Sequence, residues 1–209
     1  MVMATPDIRQ FLRDRGALLV HFSTLMARDP SRYFPNDLLT ARTLQGVPLA
    51  FSTILRGDSN PLPNVGRGGA EGCIGLVADV GPGTEVLAVG PGDNGSIYLE
   101  ATGDWISGGN PPTLEACEES IRLRNPSNEW FVRGYIPIGI FLLPPLYARK
   151  PLELEGGIVY GDAKIDLDEV INVFNGMRIF SATDAAFNEY DRLTRRWIDI
   201  NYDSIIPPH

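Results

Sequence analysis

Four polar residues stand inside or at the ends of otherwise apolar stretches. His21 comes near the end of the run Ala17 to Phe22 (ALLVHF), Ser52 and Thr53 interrupt Val47 to Ile54 (VPLAFSTI), and Glu129 opens a segment that reads Glu-Trp-Phe-Val. A carboxylate, an imidazole and hydroxyls set in otherwise apolar strands are the residue types that general acid–base and hydrogen-bonding chemistry draws on. Each residue alone has a plainer reading. A histidine at a strand end is more often a satisfied structural group than a ligand contact, serine and threonine are ordinary strand residues, and a glutamate opening a strand after a proline-containing loop is usually solvated.

Other catalytic patterns are weaker. The segment GRGGAEG (Gly66 to Gly72) does not match G-x-G-x-x-G, follows no strand directly and opens no helix, so a phosphate loop is not expected there. GPGTEV and GPGDNG fall between apolar runs, where tight turns need glycine anyway. No G-x-S-x-G elbow occurs, and a Ser-His-Asp hydrolase would have to rest wholly on His21. Asp79, Asp93, Asp104 and Glu129 offer carboxylates for a paired-acid hydrolase of a nucleotide or glycan, without a spacing that pairs any two of them.

The elements that must position these residues follow from local punctuation. Thr5 as N-cap, Pro6 at the first helical position and Gly16 as a stop frame a first helix with Ile8, Phe11 and Leu12 on one face. A buried strand over 17–22, a helix from Pro35 to Gly46 and a strand over 47–54 follow. The stretch 56–72 is dense in Asn, Pro and Gly and reads as a long loop. The runs 73–80, 85–90 and 97–101, separated by GPGT and PGDNGS, read as an antiparallel meander. Thr113 caps a helix through Arg124, and strands are expected over 128–133 and from Ile136 to the Pro144 region. Asp166 and Glu169 suggest a capping box for a helix ending at Gly176, and MRIFS a short strand. Thr183 then caps a final helix whose Phe187, Tyr190, Leu193 and Trp197 form a core stripe. The expected class is α+β, a mostly antiparallel split β-sheet core with peripheral helices, in a single domain over 1–209 with a possible C-terminal extension at 145–209.

Composition narrows the function classes. At 209 residues and 44% hydrophobic content the chain can bury a substantial core. A net charge of −8 disfavours an extended nucleic-acid surface, which needs clustered cations. The longest apolar stretch, Ile136 to Leu146, carries three prolines and is far short of the roughly 20 residues of a spanning helix, so no membrane partner is expected. The start lacks the basic region and apolar run of a secretory signal, which suggests a cytoplasmic protein. Cys73 and Cys117, with His21 and His209 the only histidines, are too few for a disulfide framework or a thiolate or imidazole metal site, so no metal is expected.

The order of the three polar segments is informative. A strand ending in His, then a helix, a strand carrying Ser-Thr, and much later a strand opening with Glu before a Pro-Ile strand resembles the ADP-ribosyltransferase fold, closest to its DNA-targeting toxin branch. The likeness spans residues 17–143 and is carried by about 15 residues in Leu19 to Ser23, Ala50 to Ile54 and Ser127 to Val132. It implies a cleft between two small sheets that grips NAD, a small-molecule nucleotide, while the nicotinamide–ribose bond breaks through an oxocarbenium-like state. By the same likeness Glu129 is the catalytic charge stabiliser, His21 binds the other ribose, and Ser52 and Thr53 brace Glu129. Ser127 stands where the family often has Gln or Glu, and the second strand reads Phe-Ser-Thr-Ile rather than Ser-Thr-Ser. The expectation is an intracellular, toxin-like enzyme that transfers ADP-ribose to a macromolecular acceptor. The rival is a noncatalytic interaction or assembly domain with an acidic surface, in which Glu129 would be exposed and far from His21.

Overall fold

A computed structural model describes residues 1–23, 36–43, 46–56, 74–92, 94–95, 97–99, 102–106, 108–123, 128–142, 152–153, 159–160, 167–183 and 185–208. The glycine-rich stretch from position 57 on, Cys73, Asp93, Ser127 and Asp166 lie outside them. Helix α1 (Thr5–Arg15) carries Pro6 in its first turn and ends at Gly16, whose φ of 58° lets its N–H reach the Arg13 and Leu12 carbonyls. Thr5 is not its cap. Ala4 holds that position, and the Thr5 hydroxyl instead donates to Thr84 O at 2.8 Å, because tertiary contact outcompetes the local bond.

Strands β1 (Ala17–Phe22), β2 (Leu49–Leu55), β3 (Ile74–Asp79), β4 (Glu85–Gly90), β7 (Glu129–Arg133), β8 (Ile136–Leu142), β11 (Arg178–Ala182), β12 (Phe187–Asp191) and β13 (Arg196–Ile200) form one nine-stranded sheet in the order β13-β12-β11-β8-β3-β1-β2-β7-β4. Every ladder in it is antiparallel except β8–β11. Short pairs β5 (Ile97–Leu99) with β6 (Asp104–Ile106) and β9 (Leu152–Glu153) with β10 (Val159–Tyr160) stand apart. Helices α2 (Asn36–Thr43), α3 (Leu114–Arg122), α4 (Leu167–Val173) and α5 (Tyr202–Ile205) complete a mixed α+β architecture.

The sheet cannot be flat. β7 and β8 are four strand intervals apart in the order, which in a flat sheet is about 19 Å. Only Gly134 and Tyr135 separate them in sequence, a span of about 11 Å at full extension. The sheet therefore curls, and the β3–β8 pair runs on into the β4–β7 pair through a shared corner. Thr84 locks that corner by donating to Gly134 O at 2.8 Å while its hydroxyl accepts from Gly81 N at 3.0 Å. Gly134, at φ 69°, has no room for a side chain: a Cβ there would overlap the Gly83 carbonyl oxygen.

This corner overturns the expected meander. β3 and β4 are not neighbours, and β5 pairs with β6 rather than with β4. The GPGT segment is a corner between two parts of a curled sheet rather than a hairpin turn. The C-terminal expectation fails as well, since Phe187, Tyr190 and Trp197 lie on a β12–β13 hairpin and not on a helix. Tyr190 faces Trp197 directly across the ladder, with ring centroids 5.4 Å apart. Leu193 is in the turn, 95% exposed, where the Asp191 carboxylate accepts from Thr194 Oγ1 at 2.6 Å and Leu193 N at 3.0 Å. Those two bonds, the hydroxyl first, hold the Asp191 carboxyl below its ordinary range.

Side-chain alternation divides the core in two. One cluster takes Leu19, Phe51, Leu76, Trp130 and Ile140 from one face and packs them under Ile8 and Phe11 of α1, Leu38 of α2, Cys117 of α3 and Phe174 just past α4. The other takes Leu18, Val20, Ile54, Val77 and Phe141, and is covered by Ile205 of α5 and the adjacent Ile206. β11–β13 contribute to both clusters and extend the same sheet through β8. Among the described residues no helix is long and apolar enough to cross a membrane.

Candidate functional site

The site is built where β2 changes partners. Over Ser52 to Leu55 it pairs with β1, in the register Val20↔Ser52 and Leu19↔Thr53; over Leu49 to Phe51 it pairs with β7, in the register Phe51↔Trp130. β1 meanwhile continues along β3 to Phe22, so β1 and β2 part at His21. Extending the β2–β7 register sets Ser52 opposite Glu129 and Thr53 opposite Asn128.

Asn128 joins the two strands. It is 2% exposed, and its side chain accepts from Thr53 N at 2.8 Å while donating to Thr53 Oγ1 at 2.6 Å and to Ser120 O of α3 at 3.1 Å. Ser52 Oγ donates to the Asn128 carbonyl at 2.8 Å. The Ser-Thr pair thus holds the peptide immediately before Glu129 rather than the carboxylate itself. Behind it, Trp130 donates from Nε1 to Ser120 Oγ at 3.0 Å and stacks on Phe11, so the strand bearing Glu129 is fixed from its helix side.

Glu129 is buried at 8% exposure, unlike the solvated glutamate its sequence context suggests. Its Oε2 accepts from Asn94 N at 2.5 Å, and its backbone carbonyl accepts from Asn94 Nδ2 at 3.2 Å. A carboxylate has about four acceptor positions, and the Asn94 N–H occupies one of them.

His21 is placed differently. Its Nδ1 is 2.7 Å from the Ala50 carbonyl and its ring lies 5.7 Å from that of Phe51. Alternation puts it on the face of Leu19, Phe51 and Trp130, whereas Ser52 and Glu129 share the opposite face with Val20. The structure therefore ties Ser52 and Thr53 to the peptide before Glu129 through Asn128, with Ser52 and Glu129 on one face and Thr53 on the same face as His21, which sits at the parting of the strands. Asp79, a candidate for paired-acid chemistry, is taken by the Arg9 guanidinium at 2.9 and 3.1 Å, and Asp104 is exposed on β6. Among the described residues no three His, Cys, Asp or Glu side chains are grouped to hold a metal.

Sequence reasoning missed Asn128 and Asn94. The first follows a loop and looked like an ordinary polar flank, and the second lies in a Gly-Asp-Asn-Gly run that reads as a turn. Only the long-range contacts to Thr53, Ser120 and Glu129 distinguish them. Comparison of the chain with protein-family models, curated proteins and solved structures gives no match.

Proposed function

We propose that the chain is an ADP-ribosyltransferase-like enzyme that uses NAD, with Glu129 as the catalytic charge stabiliser. The observation that carries this reading is a buried carboxylate at the start of β7, on a peptide clamped by the Ser52 and Thr53 pair of the adjacent strand through Asn128. An exposed glutamate would suit an interaction domain better, whereas this one is buried and met by the Asn94 N–H. Bound NAD would supply the ADP-ribosyl group and nicotinamide as leaving group. The chain's part is to orient a ribose hydroxyl on the Glu129 carboxylate and to set that negative charge where positive charge develops. Ser52 and Thr53 keep the strand from shifting while it does so. His21, at the strand ends where β1 and β2 part, is assigned to cofactor binding rather than to the bond-breaking step, so His21→Ala should raise KM for NAD more than it lowers kcat.

The test is incubation of the purified chain with labelled NAD and a lysate, beside Glu129→Ala. Label transferred to a macromolecule by the parent and not by the variant supports the reading. Neither transfer nor nicotinamide release from the parent, or equal release by both chains, refutes it.

A further inference from the structure

We infer that Asn94 is the positioning residue for the Glu129 carboxylate, an inference that rests on Glu129 being the charge stabiliser. Asn94 grips Glu129 twice, by its backbone N–H on Oε2 at 2.5 Å and by its side-chain amide on the main-chain carbonyl at 3.2 Å. Two bonds from one residue to the head and the backbone of another fix a χ angle as well as a position. The grip reaches out from the segment after β4, the edge strand whose Gly90 lies directly opposite Glu129 in the ladder.

Three glycines make the space for it. A Cβ on Gly90 would come within 2.6 Å of Asn94 Cγ, one on Gly108 within 2.6 Å of Asn94 O, and one on Gly109 within 2.9 Å of Asn94 Nδ2. Real Cβ atoms do not approach so closely. Gly90 and Gly109 have no left-handed φ that would explain glycine by backbone conformation. Gly108 N also donates to Asn94 O at 3.0 Å, and Asn110 pairs with Val89 through two backbone bonds of 2.8 Å, which anchors this cradle to β4. The side chain of Asn94 fills the gap over Gly90, and its main chain is thereby held against the carboxylate. A preorganised charge stabiliser needs such support, since a displacement of about 1 Å costs roughly 100-fold in rate.

The test is a rescue. Gly90→Ala should displace the Asn94 side chain and lower kcat for nicotinamide release about 100-fold, with KM for NAD little changed and the fold intact by circular dichroism. Gly90→Ala/Asn94→Ala removes the clashing side chain, lets the residue-94 N–H return to the carboxylate, and should recover most of the lost kcat. Parental kcat in Gly90→Ala, or a double variant no faster than Gly90→Ala, overturns the inference while leaving the role of Glu129 standing. A parent that releases no nicotinamide refutes that role instead, and the positioning contact is then judged by the residue-94 amide proton in Glu129→Gln. A large upfield shift there, exceeding that of every other assigned amide from 92 to 97, supports the contact, and an unmoved signal overturns it.

Discussion

Truncating Asn128 to alanine removes three side-chain hydrogen bonds at once, to Thr53 N, Thr53 Oγ1 and Ser120 O. All three are buried, and a net contribution of about 1 kcal/mol each gives a loss of about 3 kcal/mol. For a chain of this size that corresponds to a fall in Tm of about 6–12 °C. Ser52→Ala, which deletes one bond to a backbone oxygen, should cost only about 1 kcal/mol. The assay is urea unfolding followed by tryptophan fluorescence, with the m-value compared so that a change in the denatured state is not mistaken for lost stability. A second readout is kcat for nicotinamide release, because loosening the peptide before Glu129 should lower it in both variants. A loss below about 1 kcal/mol in Asn128→Ala, on the scale of a single bond, would refute the claim that this residue clamps β2 to β7.

Gly134→Ala should destabilise by about 1–3 kcal/mol in the same unfolding assay, since Gly134 combines a left-handed φ with a Cβ position that overlaps Gly83; parental stability would mean the β7–β8 corner is not tight. Burial pushes the Tyr135 hydroxyl up to about 12. The folded state then keeps a proton that the unfolded state gives up near pH 10, so stability from this group is complete below pH 10 and falls by up to about 1.4 kcal/mol per pH unit as pH rises toward 12. Tyr135→Phe should remove that share of the alkaline decline, and an unchanged slope between pH 9 and 11 in the variant would contradict it. Burial also pushes the Cys117 thiol up to about 12, so iodoacetamide at pH 8 should label it only in the presence of denaturant, as read by peptide mapping.

Much of the framework was legible because its signals are local. Pro6 and Gly16 bracket α1, the apolar runs locate β1 and β2, and Thr113 caps α3 by accepting from Ala116 N at 3.2 Å, just as a Thr before an acidic turn should. The C-terminal hairpin was misread because Phe187, Tyr190, Leu193 and Trp197 fit helical spacing by coincidence; the turn between them is made by Asp191 bonding its own neighbours, and Arg195 takes a left-handed φ of 57°. The curl of the sheet was hidden for a different reason. GPGT and Gly134 look like hairpin turns in isolation, and only their mutual contact through Thr84 makes them a corner. For the site, Glu129, Ser52 and Thr53 could be picked out by polarity within apolar runs. Asn128 and Asn94 could not, because their bonds span 75 and 35 residues of sequence.

On the proposed function, the buried Glu129 carboxylate stabilises charge during cleavage of the nicotinamide–ribose bond. The most direct test of that role is single-turnover nicotinamide release by excess purified chain, comparing the parent with Glu129→Gln, which keeps size and hydrogen-bonding shape but removes the charge. Release by the parent and a loss of about 100-fold or more in the variant are expected. Equal rates, or a parent that leaves NAD intact, would contradict it.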